Sequence, residues 1–131
     1  MSWIKKVWGE KQTIFETDHV IVDHLKILPG GFSSVHKHQL LRNCFYVLDD
    51  GKFYIDVFAL GPIGTSLAPI DHILVSKENN GIVVDPRIFH RFRNAEECQI
   101  EVIEVSYLAA IGIEDDIFRV PGFEIGGHSG E

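Results

Sequence analysis

Two histidines separated by a single residue, His36 and His38, are the residues of this sequence best placed to bind a metal ion. They follow the turn-forming segment Pro29-Gly30-Gly31, and in an extended strand residues i and i+2 project from the same face. Two imidazoles that project side by side can converge on one divalent transition metal. Taken alone, the pair is also typical of polar residues on an exposed strand, because short motifs often match by chance.

A third histidine, His90, lies in the segment Pro86-Arg87-Ile88-Phe89-His90-Arg91-Phe92-Arg93-Asn94. If this segment is a strand, one of its faces carries Ile88, His90, Phe92 and Asn94. His90 would then lie among apolar residues, a pattern that on its own favours a buried histidine with a hydrogen-bond partner. Together with the His-x-His pair, however, it completes a set of three candidate metal ligands.

The elements that must position these histidines are predicted to be short β-strands. Apolar runs alternate with clusters of Gly, Pro, Asn and Asp, which is typical of an all-β sandwich or barrel. Asp49-Asp50-Gly51 predicts a tight hairpin, because a type I′ turn needs positive φ at both central residues. In the β-rich run 98–107 the alternation slips between Val102 and Ile103, which indicates a bulge or burial on both faces. One short helix is expected within residues 109–117.

Length and composition indicate one globular domain. The 131 residues are 45% hydrophobic and 24% charged, ordinary values for a single domain, and residues 124–131 are expected to form a flexible tail. The formal net charge of −7 argues against nucleic-acid binding, which depends on a basic surface. No apolar run approaches the about 20 residues that cross a membrane. The N-terminus does not resemble a signal peptide, so we expect a cytoplasmic protein in which Cys44 and Cys98 are reduced.

The spacing of these residues resembles the two motifs of the cupin superfamily. The first motif has a glycine, five residues and then His-x-His, as Gly30 and His36-Lys37-His38 do. The second motif is represented by Gly81, Pro86, His90 and Asn94. The resemblance implies an all-β fold, the cupin double-stranded β-helix or jelly-roll barrel, in which the three histidines hold one metal ion.

The sequence departs from the cupin motifs at two places. The glutamate expected after His38 is replaced by Asn43, and the second motif is one residue short between Pro86 and His90 and lacks its glycine, with Ile88 nearby. The implied ligand set is therefore three neutral imidazoles, to which Asn43 could add an amide oxygen. For such ligands Zn is expected first, followed by Fe, Ni or Mn.

Within the superfamily the chain is most similar to the type II mannose-6-phosphate isomerase domain that is often fused to a mannose-1-phosphate guanylyltransferase. The matches occur in order at Val7-Trp8-Gly9, at Leu28-Pro29-Gly30, at Ser34, His38 and Arg42, at Ile103-Glu104-Val105 and at 112–119. This resemblance implies an aldose–ketose isomerase of a sugar phosphate, with the metal as a Lewis acid on a carbonyl or hydroxyl. The superfamily also implies a homodimer, for which the aromatic N-terminus with Trp3 and Trp8 is a candidate surface.

Arginines are the candidate ligands of a substrate phosphate. Arg42 and Arg119 are preferred because they lie in the matched segments, whereas Arg91 and Arg93 are interpreted as solvated residues on the strand face opposite His90. No general base is assigned, because Glu104 is interpreted equally well as a structural or exposed carboxylate.

Two other classes of function are left open by the sequence. Some cupins bind iron through three histidines without a carboxylate, so an oxygenase is one alternative. Loss of the glutamate at Asn43 would equally suit a cupin that binds a sugar or small acid without turning it over. Whether the protein is an enzyme is therefore not decided by its sequence.

Overall fold

The computed structural model consists almost entirely of antiparallel strands, and it describes residues 2–61, 64, 66–108, 117–119 and 126–128. The strands are β1 Ile4–Lys6, β2 Gly9–Glu16, β3 Val20–Ile27, β4 Gly31–Phe32, β5 His36–His38, β6 Leu41–Val47, β7 Phe53–Leu60, β8 Leu67–Val75, β9 Ile82–Val84, β10 Phe89–Arg93, β11 Ile100–Leu108, β12 Ile117–Arg119 and β13 Gly127–His128. A short 3₁₀ turn, Lys77–Asn79, precedes β9. The predicted all-β class is confirmed.

The strands form two sheets that pack face to face. The first sheet has the order β1-β2-β3-β11-β6-β9. In the second sheet β10 is central: β7 and then β8 extend it on one side, while β4 and β5 pair with opposite ends of β10 and lead to β13 and β12. Folding one sheet on another is the way a jelly roll shields its strand edges.

One half of the space between the sheets is a continuous apolar core. Its buried side chains are Trp8, Leu25, Ile27, Phe45, Val47, Phe53, Ile55, Val75, Val84, Phe92, Ile100 and Val102. Apart from Trp8, which lies in the turn between β1 and β2, they occupy alternate strand positions, as a sheet with one buried face requires. Each large side chain among them contributes about 2 kcal/mol by burial. This half of the interior holds the sheets together and supports the other half.

The N-terminal tryptophans have different environments. Trp8 is a core residue, 8% exposed, with its ring packed edge-on against Phe92 at a centroid distance of 4.9 Å. Its assignment to a dimer surface is therefore wrong. Trp3 lies on the outside of the first sheet, where it contacts the ring of His24 and the ammonium group of Lys26.

The Asp49-Asp50-Gly51 segment does not form the predicted hairpin. It connects β6 of the first sheet to β7 of the second, so the two flanking strands do not pair. Asp49 instead accepts hydrogen bonds from the backbone N–H groups of Gly51 and Glu101. Glycine is needed here for close packing rather than for a type I′ turn, because a Cβ at position 51 would lie 2.6 Å from Cγ2 of Ile100.

The predicted bulge in the run 98–107 is absent. Strand β11 keeps a continuous register with β3 and with β6. The alternation slips for another reason: the inward positions change from apolar, at Ile100 and Val102, to polar, at Glu104 and Ser106.

Two other expectations concern the C-terminal part of the chain. The helix expected within 109–117 falls outside the described residues except for Ile117, where β12 begins. Of the predicted tail, only 126–128 are described, and Gly127–His128 pairs with Gly31–Phe32.

Cys44 is buried, Cys98 is exposed, and both are free thiols. The described residues include no helix with the length and apolar character that crossing a membrane requires.

Candidate metal centre

Three histidine side chains meet inside the barrel. His36 and His38 lie on β5 and His90 lies on the neighbouring β10, directly opposite His36 in the register. Their ring centroids are 5.2 Å apart for His36 and His38, 4.7 Å for His36 and His90, and 6.1 Å for His38 and His90. One ligating nitrogen from each ring lies within 4.8 Å of the others. The predicted convergence of the three side chains is confirmed.

Backbone carbonyls orient two of the imidazoles. Nδ1 of His36 donates a hydrogen bond to the carbonyl oxygen of Ser34, and Nδ1 of His90 donates one to the carbonyl oxygen of Ile88, both at 2.9 Å. A carbonyl can only accept, so Nδ1 carries the proton and Nε2 is left with its lone pair. Histidines that bind metals are usually oriented by such a bond from the other ring nitrogen.

His90 has the properties expected of a neutral ligand. It is 2% exposed, and among the described residues its Nε2 atom has no hydrogen-bond partner. Burial lowers the pKa of His90 to about 4 despite its bond to the Ile88 carbonyl, and the neighbouring His38 lowers the pKa further. A buried ring nitrogen without a partner costs about 1–3 kcal/mol. A metal ion would remove that cost, so the donor set fits a metal.

The first sheet faces these histidines with a polar surface. The register pairs Glu104 with Asp23 and Ser106 with Asn43, and all four side chains line the same cavity as His36 and His38, with a volume of about 540 Å³. Asn43 Nδ2 donates to Ser106 Oγ at 2.9 Å and to Glu104 Oε2 at 3.2 Å. The polar half of the barrel is therefore an organised pocket.

Asn43 is the residue that stands in place of the usual cupin glutamate. It is 1% exposed, and among the described residues its Oδ1 atom accepts no hydrogen bond. Both hydrogens of its amide nitrogen are used, by Ser106 and Glu104. The amide oxygen is thus a second buried polar atom that a ligand of this pocket could satisfy.

Glu104 is the functional candidate that sequence reasoning left unresolved. Although the residue as a whole is only partly buried, burial of its carboxyl group and the nearby charge of Asp23 raise its pKa to about 7, with Lys11 opposing. A carboxyl group with this pKa can accept and release protons at neutral pH. The break in the apolar alternation of β11 was the sequence signal for this position, because Glu104 follows Ile100 and Val102 on the inward face.

Of the two predicted phosphate-binding arginines, Arg42 does not line this pocket. Arg42 lies at the surface, where its Nε donates to Asp85 Oδ1 at 3.0 Å. The backbone of Arg119 pairs with that of His36, but its side chain lies outside the described part of the structure.

From the sequence, Arg91 and Arg93 are interpreted as solvated residues, but in the structure both have a buried partner. They do lie on the strand face opposite His90, where both bind the carboxylate of Asp56 at 2.9 and 2.8 Å. Asp56 is completely buried and also accepts a hydrogen bond from His72 at 2.6 Å. Burial alone would raise the pKa of Asp56, but these hydrogen bonds outweigh it and lower the pKa to about 2.

Comparison with curated proteins gives a sequence relative that matches most of the chain. The mannose-1-phosphate guanylyltransferase of Sinorhizobium fredii is 29% identical over 113 residues, which are 86% of this chain and 19% of that protein. The chain thus spans about a fifth of the length of this relative. No protein-family model matches the sequence.

Solved structures share the fold at low sequence identity. The capsular polysaccharide assembling protein CapF from Staphylococcus aureus has a TM-score of 0.65 and 19% identity, over 91% of this chain and 31% of that one. KdgF from Halomonas sp. has a TM-score of 0.64 and 14% identity, over 84% and 90%. The cupin domain of Cnp3 from Schizosaccharomyces pombe has a TM-score of 0.65 and 11% identity, over 82% and 69%. The chain therefore has the predicted cupin jelly-roll fold.

Proposed function

We propose that this cupin-fold protein is a metal-dependent aldose–ketose isomerase of a sugar phosphate. The observation that carries the proposal is a cavity lined by His36, His38 and Glu104, in which His90 converges on the other two histidines. The similarity to part of a mannose-1-phosphate guanylyltransferase supports a sugar phosphate as substrate. A CapF structure of the same fold was solved with the inhibitor 3-isopropenyl-tropolone, which supports a small-molecule ligand.

In this proposal His36, His38 and His90 hold a divalent metal, Zn in the first place and otherwise Fe, Ni or Mn. When bound, the metal supplies a Lewis acid that polarises a sugar carbonyl or hydroxyl. The carbonyls of Ser34 and Ile88 keep the rings of His36 and His90 in place. Asn43 offers its unpartnered amide oxygen as an additional neutral donor.

Glu104 is the group that we propose to move the proton between the two carbons of the sugar. Its pKa of about 7 leaves a large fraction ionised at neutral pH and also allows the carboxyl group to return the proton. The hydrogen bond from Asn43 Nδ2 orients the carboxyl group of Glu104. On the same sheet, Asp23 raises the pKa of Glu104 and Lys11 lowers it.

The direct test is interconversion of mannose 6-phosphate and fructose 6-phosphate by the protein loaded with Zn, Fe, Ni or Mn in turn. Elemental analysis of the purified protein identifies the metal that it carries. We expect turnover with at least one metal and no turnover after chelation. Turnover with none of the four metals would contradict the isomerase and favour a cupin that only binds its ligand, and oxygen consumption with Fe would favour the oxygenase.

A further inference from the structure

We propose that lysines of the N-terminal hairpin bind the anionic group of the substrate. The inference rests on the proposed function in placing the substrate in the histidine pocket. It adds the class of ligand, a polyhydroxy compound that carries a phosphate or carboxylate, and the residues that select it.

The charges around the pocket favour an anion, although the chain as a whole carries a formal charge of −7. Three lysines line this cavity, Lys5, Lys6 and Lys11, and no arginine does so among the described residues. Two carboxylates line the same cavity, those of Asp23 and Glu104, so the lysines outnumber them there. The imidazoles add no negative charge, and a bound divalent cation would make the pocket still more positive.

Most other cations in the described residues already have a partner. Arg91 and Arg93 bind Asp56, Arg42 binds Asp85, and Lys77 binds Asp50. Lys11 forms a loose ion pair with Asp23, with 3.8 Å between Lys11 Nζ and Asp23 Oδ2. Lys5 and Lys6 are exposed and make no ion pair with any other described residue. The two lysines are therefore able to bind an anion without first breaking a contact.

The hairpin that carries these lysines is held in a defined position. Lys5 and Lys6 lie on β1, which pairs with β2 next to the buried ring of Trp8. The Trp8 carbonyl accepts a hydrogen bond from the N–H of Leu28. Gly9 has a φ of +151° and no room for a side chain, because a Cβ would lie 1.9 Å from the carbonyl oxygen of Lys26. The flexible side chains of Lys5 and Lys6 are thus attached to a backbone segment that is fixed beside the cavity.

The remaining lining residues suit the neutral part of such a ligand. Asn43, Ser106 and Asp23 offer hydrogen-bond donors and acceptors to hydroxyl groups, and Ser34 lies beside His36. One side of the cavity therefore recognises hydroxyl groups, while the hairpin supplies positive charge. A neutral sugar would contact only the polar side chains and not the lysines.

The test compares the metal-loaded wild type with the double variant K5Q/K6Q by isothermal titration calorimetry. The probes are mannose 6-phosphate, gluconate, inorganic phosphate and unmodified mannose. We expect the variant to bind at least one anionic probe about tenfold more weakly, the loss expected for charge-assisted contacts, with unchanged affinity for mannose and unchanged metal content. The relative losses for mannose 6-phosphate and gluconate distinguish a phosphate from a carboxylate.

A matched control is the double variant K52Q/K77Q, which removes the same charge at lysines that lie away from this cavity. If both double variants lose the same affinity for the anionic probes, the effect is one of net charge and the proposal is overturned. The proposal is also overturned if the wild type binds no anionic probe, or if it binds mannose as tightly as mannose 6-phosphate. The proposed isomerase can fail separately, since a wild type that binds the phosphate through Lys5 and Lys6 without turnover would contradict only the enzyme activity.

Discussion

The two faces of strand β10 carry ionisable side chains that differ in how completely they are hydrogen-bonded. On the outer face Asp56 accepts hydrogen bonds from Arg91, Arg93 and His72, so its charge is fully compensated. On the inner face His90 Nε2 has no hydrogen-bond partner among the described residues. Buried polar groups are normally satisfied. The outer cluster is thus complete without a ligand, whereas the inner one has an atom that a ligand can satisfy.

This difference separates a structural cluster from a candidate site even though both use similar residue types. Aromatic rings also enclose the outer cluster, since the guanidinium groups of Arg91 and Arg93 lie over Phe32 and Tyr54. We therefore expect changes on the outer face to alter stability, and changes on the inner face to alter metal binding and chemistry.

The largest effect is expected for His38→Ala, which removes one of three imidazoles from the inner cluster. Two imidazoles hold a divalent metal much less tightly than three, so we expect the purified variant to contain no metal by elemental analysis and to have no turnover. His24→Ala is the matched control, because His24 lies on the outside of the first sheet, bonded to Glu101. Full metal content in His38→Ala would contradict the three-histidine site.

Glu104→Gln should lower turnover by about 10²–10⁴-fold, the usual contribution of a general base, while the metal is retained. In the wild type the rate should rise with pH through about 7, because only the ionised carboxylate accepts a proton and its pKa is raised to about 7. The pH–rate profile measures the dependence of the rate on ionisation of Glu104, and elemental analysis measures the metal content of the variant. Glu101→Gln, on the same strand but facing outward, should leave both unchanged; an unaltered rate in Glu104→Gln would remove Glu104 from the mechanism.

Asp56→Asn should reduce the free energy of unfolding by about 3 kcal/mol, since it breaks a buried ion-pair network. Metal content should not change. Urea unfolding measures the loss, and Asp85→Asn is the control, because its ion pair with Arg42 is exposed and should contribute at most about 1 kcal/mol. A stable Asp56→Asn protein that has lost its metal would reverse the division between the two faces.

Acid should weaken the outer cluster in a defined pH range. The pKa of Asp56 is lowered from 3.8 to about 2 in the folded protein, so its stabilisation is fully present above pH 4 and is lost as the pH falls towards 2. The shift corresponds to about 2 kcal/mol. Unfolding measured between pH 5 and 2 should show this loss in the wild type and not in Asp56→Asn, and parallel curves for the two proteins would refute it.

The smallest effect is expected for Asn43→Glu, which restores the carboxylate of the cupin motif. A charged oxygen donor should tighten metal binding by about tenfold, as measured by competition with a chelator. The new carboxylate would lie beside Glu104, now 3.2 Å from the amide nitrogen of Asn43, and should move the pH–rate profile to higher pH. Weaker metal binding in Asn43→Glu would indicate that position 43 does not reach the metal.

Much of the fold and part of the site could be predicted from the sequence. The period of two in a strand placed His36 and His38 on one face, and turn residues between short apolar runs indicated an all-β protein. The resemblance of the ordered motifs to the cupin superfamily implied His90 as the third ligand and the jelly-roll fold. The strand periodicity and the turn residues are local features, and the resemblance rests on linear spacing, so none of them depends on knowing which strands pair.

The tertiary structure decided which polar residues meet. Asp56 lies 35 residues from Arg91 along the chain, and only the pairing of β7 with β10 brings them together. Glu104 and Asn43 are 61 residues apart and meet because β11 lies beside β6. Likewise the Asp49-Asp50-Gly51 segment looks like a hairpin in sequence but crosses between sheets. Strand periodicity determines the side to which a residue points, whereas register and sheet order determine the groups that it meets there.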